Sequence, residues 1–298
     1  MALPTKFLVL GANGRLGKAL VRRYAAQGLA VQAIGRGELD LAKPASVALS
    51  LSRYSFDVLI NAAGDTDVDR CEMDPGGAQL VNALSPAAAA SYCAANGAQF
   101  VQVSTDYVFA GEPHADRIET DAAEPINHYG RSKLAGEQAV LAAHPLALVL
   151  RVSWLFGLEK PSFPDRIIKD ALAKDEVSAV NDKWACPTYA DDVTEWTLAL
   201  IESRQHGVVH LCNEGACTWL EYGQAALDIA ASLGLPLKTT ALKGHSMHGF
   251  SLFKAARPPY TALDTALFTR HTGIAPRHWK TALEEYLRKC YLQPAAGR

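Results

Sequence analysis

The chain has 298 residues, half of them apolar and a fifth charged, with a formal net charge of −2. That length can bury a full hydrophobic core without help from metals or disulfides. The near-neutral balance excludes a polyanion-binding surface or a disordered acidic chain as a first reading, so neither nucleic acid nor a membrane is an expected partner.

The first apolar stretch, "FLVL", runs directly into "GANGRLG", too soon for a signal peptide, and no apolar run approaches transmembrane length. From there to about residue 150 short β-rich runs alternate with helical patterns: "KFLVLG", "GKALVRRYAAQG", "AVQAIG", "FDVLINAAG", "GGAQLVNALSPAAAASYCAANG", "QFVQVST". Strands spaced by helices in this way predict an α/β fold, a doubly wound parallel sheet of the Rossmann kind. The alanine-rich segment reads as a helix ended by Asn96-Gly97.

A helix from "YGRSK" onward and a strand at "LALVLRVSW" follow, after which prolines at 161, 164 and 187 loosen the pattern. Residues 1–155 are expected to form the dinucleotide-binding domain and 156–298 mainly a smaller substrate-binding lobe. The helix "YADDVTEWTLALIES" and the strand "GVVHLCN", within 188–214, are expected to return to the first sheet. Six scattered cysteines without a CxxC pair predict reduced thiols and a cytoplasmic protein.

In "VLGANGRLGKAL", Gly11, Gly14 and Gly17 lie between a strand and a helix. There one glycine makes the turn, one lets the backbone approach a pyrophosphate and one lets helix and sheet touch. Helix N-terminal amides then hold the phosphate charge. The second strand runs into Arg36 rather than the usual acid for a ribose 2′-hydroxyl, which favours NADPH while leaving NADH possible.

Tyr129 and Lys133 stand four apart on one helical face. Reducing a ketone requires a hydride on carbon and a proton on oxygen, and a nearby phenol can give that proton. Lowering a phenol from about 10 to near 7 takes about 4 kcal/mol, whereas one close ammonium shifts a pKa by roughly 1 to 3 units. Lys133 alone is borderline for that task. Thr105, at the end of "QFVQVST", is the expected hydrogen-bond donor to the carbonyl.

With these elements in order, the chain resembles the extended short-chain dehydrogenases/reductases, and more narrowly the dTDP-4-dehydrorhamnose reductase family. The resemblance rests on "GANGRLG", "ELDL", "DVLINAAGDTDVDRCE", "VNALSP", "VSTDYVFAG", "ETDAAEPINHYGRSKLAGE", "LRVSWLFG", "VNDKWACPTYADD" and "RPPYTALDT". It implies hydride transfer from NADPH to C4 of a nucleotide-linked 4-keto sugar, dTDP-4-dehydro-L-rhamnose above others, with Tyr129 as proton donor, Lys133 on the nicotinamide ribose and Thr105 on the carbonyl.

The resemblance also implies cofactor contacts from the loop residues Asn13, Arg15 and Leu16 beside the three glycines, and from Asn61, Ala62, Ala63 and Gly64. Asp40 and Leu41 would lie near the adenine, and Asn82 would support the site. Asp106, Tyr107, Trp154 and Arg257 are expected on the substrate side.

Two departures concern the pocket: "EKPSFPDRII" stands where the family carries Asn-Phe, and Thr261 where a serine is commoner. Some family members dimerise through a glutamate-held magnesium ion, but here the first helix carries Arg15 and Lys18, and no metal is expected, nor at His245 and His248; a homodimer stays open. Asp106 is followed by Tyr107 rather than by glutamate, which disfavours sugar-nucleotide dehydration. The alternatives are a cofactor-binding regulatory subunit like the β subunit of methionine adenosyltransferase, or a reductase of another carbonyl substrate.

Overall fold

The computed structural model describes residues 6–112, 114–248 and 253–292; the outer limits of the two expected domains, and the end of the "GHSMHGF" motif, lie outside them. The first half alternates as the sequence predicts: β1 (Lys6–Leu10), α1 (Arg15–Ala26), β2 (Ala30–Ile34), α2 (Val47–Leu51), β3 (Val58–Asn61), α3 (Val68–Met73), α4 (Pro75–Gln79), α5 (Ser85–Ala95), β4 (Gln99–Thr105), α6 (His128–Ala143) and β5 (Leu148–Val152). Next come β6 (Leu155–Phe156), α7 (Phe163–Ala173), β7 (Ser178–Val180), β8 (Trp184–Ala185), β9 (Thr188–Tyr189), α8 (Ala190–Glu202), β10 (Gly207–Leu211), β11 (Cys217–Thr218), α9 (Trp219–Ser232), β12 (Lys243–His245), α10 (Ala266–Thr272) and α11 (Trp279–Tyr291).

Six strands form one parallel sheet in the order β10-β5-β4-β3-β1-β2. The order reverses between β1 and β3, and ligands of open α/β sheets bind beyond the carboxyl ends of the strands at such a point. Strands β1, β3, β4 and β5 are buried on both faces, as a sheet covered by helices on both sides requires. One apolar layer packs Leu16, Leu20, Trp196 and Leu200 against the sheet; the other packs Leu51, Ala89, Cys93 and Val140.

A separate apolar cluster holds the C-terminal part, where Phe156, Ile167, Tyr222, Leu227, Trp279 and Leu283 pack together from β6, α7, α9 and α11. This second core orients the α7 and α9 side chains toward the end of β5.

The segment read from sequence as one helix over 76–95 is interrupted. Leu80–Leu84 forms a π turn between α4 and α5. Pro86 has no N–H to return to the carbonyl four residues back, so the regular ladder cannot run through this point. The widened turn carries Asn82, which is buried against α6.

Candidate active site

The glycine loop follows β1. Gly11 has φ +78°, and a Cβ there would lie 2.7 Å from the Ala63 amide nitrogen. At Gly17 a Cβ would meet the Gly11 carbonyl oxygen at 2.2 Å. Both positions therefore need glycine for close backbone approach, as a pyrophosphate cradle does. Gly14 caps α1 without a side-chain acceptor, and the first turn contains no acid, leaving the positive end of the helix for an anion. These features fit a dinucleotide.

Arg15 contributes differently from a phosphate ligand. Its guanidinium donates to the Leu155 carbonyl (3.0 Å) and the Pro161 carbonyl (2.8 Å), tying the start of α1 to the β6–α7 connection. Leu16 is buried in the core, and Asn13 is exposed on the loop.

Arg36 is exposed beyond β2 and has no hydrogen bond or ion pair with another described residue. The neighbouring Glu38 carboxylate is turned back onto the Gly35 amide (2.8 Å). Asp40 accepts from the Ala42 amide (3.0 Å), and the Leu41 carbonyl accepts from Ser85 (2.6 Å). The guanidinium is therefore the free charged group at the tip of β2.

At the end of β3, Asn61 is fully buried; it donates to Gln102 Oε1 (2.8 Å) and accepts from the Ala63 amide (3.1 Å). This fixes the Ala62–Gly64 backbone opposite Gly11. Asn82 clamps the next residue from both sides, accepting from the Asp65 amide (2.8 Å) and donating to the Asp65 carbonyl (2.9 Å), with a further bond to Ser132 (3.0 Å). A Cβ on Gly64 would be 3.0 Å from Asn82 Oδ1 and 3.9 Å from Lys133 Nζ, so the wall is shaped around the lysine.

Asn127 caps α6 by accepting from the Gly130 amide (2.8 Å). The first two turns then bring Tyr129 and Lys133 to the ends of β3 and β4, with 8 % and 5 % of their surface exposed. The Tyr129 hydroxyl lies beside that of Thr105, and the Tyr129 ring meets Tyr107 edge-on at 5.7 Å. Lys133 Nζ donates to the Val103 carbonyl at 2.6 Å.

Burial pushes Tyr129 above the ordinary phenol range, opposed by the neighbouring Thr105 hydroxyl. Burial also lowers Lys133 to about 8, against the attraction of Glu137 one turn further along. Lys133 is thus a charged donor below about pH 8, and Tyr129 keeps its proton across the neutral range. Within the protein alone the tyrosine is tuned chiefly by desolvation and Thr105, because the lysine is drawn to a backbone carbonyl.

Thr105 donates to Asp106 Oδ1 (3.0 Å) and accepts from the Tyr107 amide (3.2 Å). Asp106 also accepts from Ser153 (3.0 Å) and Thr261 (2.6 Å). Sequence reasoning missed Ser153, Gln102, Ser132 and Lys183, and it noted Thr261 only as a departure. The lone lysine in "NDKWACPT" was the available signal, since nothing else in that stretch requires a charge.

Trp154 follows β5 with φ +36°, unusual for a bulky residue. It lines a cavity of about 360 Å³ with Leu155, Ser162, Phe163, Arg166, Trp219 and Tyr222. Arg257 does not line this cavity and is already engaged: it pairs with Asp69 (3.0 Å), donates to the Ala255 carbonyl (3.0 Å) and lies over the Phe253 ring. Asp69 also accepts from the Lys254 and Ala255 amides (2.9 Å each). This clasp holds the 253–257 segment against α3.

Among the described residues no group of three or more His, Cys, Asp or Glu side chains could hold a metal ion, and no helix is long and apolar enough to cross a membrane.

The chain matches the RmlD substrate binding domain family over residues 5–292. The dTDP-4-dehydrorhamnose reductase of Mycobacterium tuberculosis is 36% identical over 286 residues, covering 93% of this chain and 91% of that one. The enzyme of the same name from Salmonella typhimurium is 32% identical over 292 residues, covering 95% and 97%. A solved dTDP-4-dehydrorhamnose reductase from Bacillus anthracis, in complex with NADP, superposes with a TM-score of 0.89 at 29% identity, covering 96% of this chain and 100% of that one. With a match running from the glycine loop to the last helix, and relatives that align end to end, this chain belongs to the RmlD family of reductases.

Proposed function

We propose that this protein is an NADPH-dependent reductase of a nucleotide-linked 4-keto sugar, with dTDP-4-dehydro-L-rhamnose as substrate and dTDP-L-rhamnose as product. The single observation that carries the chemistry is the meeting of Tyr129, Thr105 and Lys133 at the carboxyl edge of the sheet, beside a glycine loop that fits a dinucleotide.

When bound, NADPH supplies the hydride. The loop around Gly11–Gly17 and the start of α1 would hold its pyrophosphate, Arg36 its 2′-phosphate, and Asp40 and Leu41 its adenine end, with Ala62–Gly64 as the facing wall. Lys133 would donate to its nicotinamide ribose. Tyr129 delivers its proton to the sugar oxygen, and Thr105, held by Asp106 and the Tyr107 amide, stands beside it at the carbonyl. Reduction leaves an alkoxide far more basic than a phenolate, so a tyrosine that holds its proton is suited to this direction.

The aromatic cavity lined by Trp154, Phe163, Arg166, Trp219 and Tyr222 takes the substrate. Six free cysteines, five of them buried, support a cytoplasmic location.

The direct test follows loss of NADPH absorbance with dTDP-4-dehydro-L-rhamnose generated in situ. Turnover with formation of dTDP-L-rhamnose is expected. Tight NADPH binding without turnover on any 4-keto sugar, together with a stoichiometric partner in a pull-down, would overturn the reading in favour of a regulatory subunit. Arg36→Ala is expected to weaken NADPH by roughly tenfold or more, the scale of one lost charge-assisted pair, while NADH changes little. Equal losses for both would remove Arg36 from the 2′-phosphate.

A further inference from the structure

Lys183 belongs to the segment between β7 and β8, and none of its surface is exposed. Such a charge is costly unless paired, and its pairing leads straight to the site. Nζ donates to Thr261 Oγ1 at 2.8 Å and to the Trp184 carbonyl at 3.2 Å. It also lies 5.1 Å from the Tyr107 ring centre and 5.8 Å from that of Trp154.

The hydrogen-bond order follows from valence. An ammonium only donates, so Thr261 accepts from Lys183 and must spend its own proton on Asp106 Oδ2, 2.6 Å away. Asp106 takes Ser153 on the same oxygen and Thr105 on the other. An ionised carboxylate, which only accepts, meets three hydroxyl donors best. Thr105, its proton given to Asp106, accepts from the Tyr107 amide and turns its remaining lone pair to the side where Tyr129 stands.

We propose that Lys183 is a positioning residue for the reduction: it keeps Asp106 ionised and, through Thr261, fixes the Asp106–Thr105 hydrogen-bond order beside Tyr129 from behind the site. Its consequence for turnover rests on the reductase reading above; its electrostatics do not.

The groups facing Asp106 are few. Lys183 comes from the β7–β8 stretch, Tyr129 from α6, Tyr107 from the adjoining turn and Cys212 from the end of β10; Cys186 and Arg257 act on Lys183 instead. Burial raises Asp106, and the charge of Lys183 is the largest opposing influence. Burial lowers Lys183 to about 8, with Asp106 opposing. Without Lys183 the remaining influences therefore favour a protonated Asp106, which turns a donor toward Thr105 and breaks the order.

The test compares the parent protein with Lys183→Met in two ways. The first is the titration of the Asp106 carboxyl by carbon NMR, which needs neither substrate nor cofactor. The midpoint is expected to rise by about one pH unit or more, and an unmoved midpoint overturns the proposal.

The second is steady-state kinetics: kcat is expected to fall about tenfold from misalignment, with KM for NADPH within about twofold and the acid limb displaced upward. An unchanged kcat and acid limb likewise overturns it, whereas an inactive parent protein would instead count against the reductase reading. If Lys183→Met does not fold, Thr261→Val carries the test. It cuts the bridge and keeps the shape; kcat is expected to fall and to be recovered in Thr261→Ser, and a Thr261→Val protein with parental kcat overturns the proposal.

Discussion

Replacing Tyr129 with phenylalanine is expected to lower kcat by roughly 10²–10⁴-fold, the range of general acid catalysis, and to leave NADPH affinity within about twofold. The ring sits edge-on to Tyr107 and is almost fully buried, so phenylalanine preserves the packing. Only the hydroxyl beside Thr105 is lost. Stopped-flow binding of NADPH and steady-state turnover separate the two effects. A kcat within threefold of the parent would sink Tyr129 as the proton donor.

The second large effect concerns stability. Arg151, from β5, is buried against Glu137 of α6 with Nη2 to Oε2 at 2.7 Å and Nε to Oε1 at 2.9 Å. Glu137 also accepts from Ser104 (2.5 Å), and the guanidinium lies over the Phe109 ring. Removing one partner of a buried pair strands the other charge, which costs about 3–5 kcal/mol. Arg151→Met should therefore lower Tm by about 10 °C, given roughly 2–4 °C per kcal/mol in a protein of this size.

The double variant Glu137→Leu/Arg151→Met should recover much of that loss, since an apolar replacement of the whole pair is often neutral. Activity should not recover with it. Glu137 is the main influence opposing the desolvation of Lys133, so without it the lysine loses its proton at lower pH. Calorimetry and turnover measured on the same preparations check both halves. A single variant that melts within 2 °C of the parent would show that the pair is not the strut described here.

The parts of the site that were legible in the sequence are those built within one strand-turn-helix unit. Gly11, Gly14 and Gly17 lie within seven residues, and Tyr129 and Lys133 are one helical turn apart, so local geometry alone brings each group together. Lys183 and Thr261 reach Asp106 from 77 and 155 positions away along the chain, which no spacing rule anticipates.

The interruption at Leu80–Leu84 was hidden for a different reason. Alanine-rich flanks favour helix so strongly that the single proline reads as tolerable. The engaged state of Arg257 depends on Asp69, nearly two hundred residues earlier in the sequence, and likewise emerges only once the chain is folded.

The way Asp69 holds the 253–257 segment bears on how this protein can change over generations. Two of its three partners there are the main-chain amides of Lys254 and Ala255, groups every residue but proline provides. Mutation can therefore sample other side chains at 254–256 while the segment keeps its grip on α3. Selection has latitude to vary this stretch of surface without first having to reinvent the contact that anchors it.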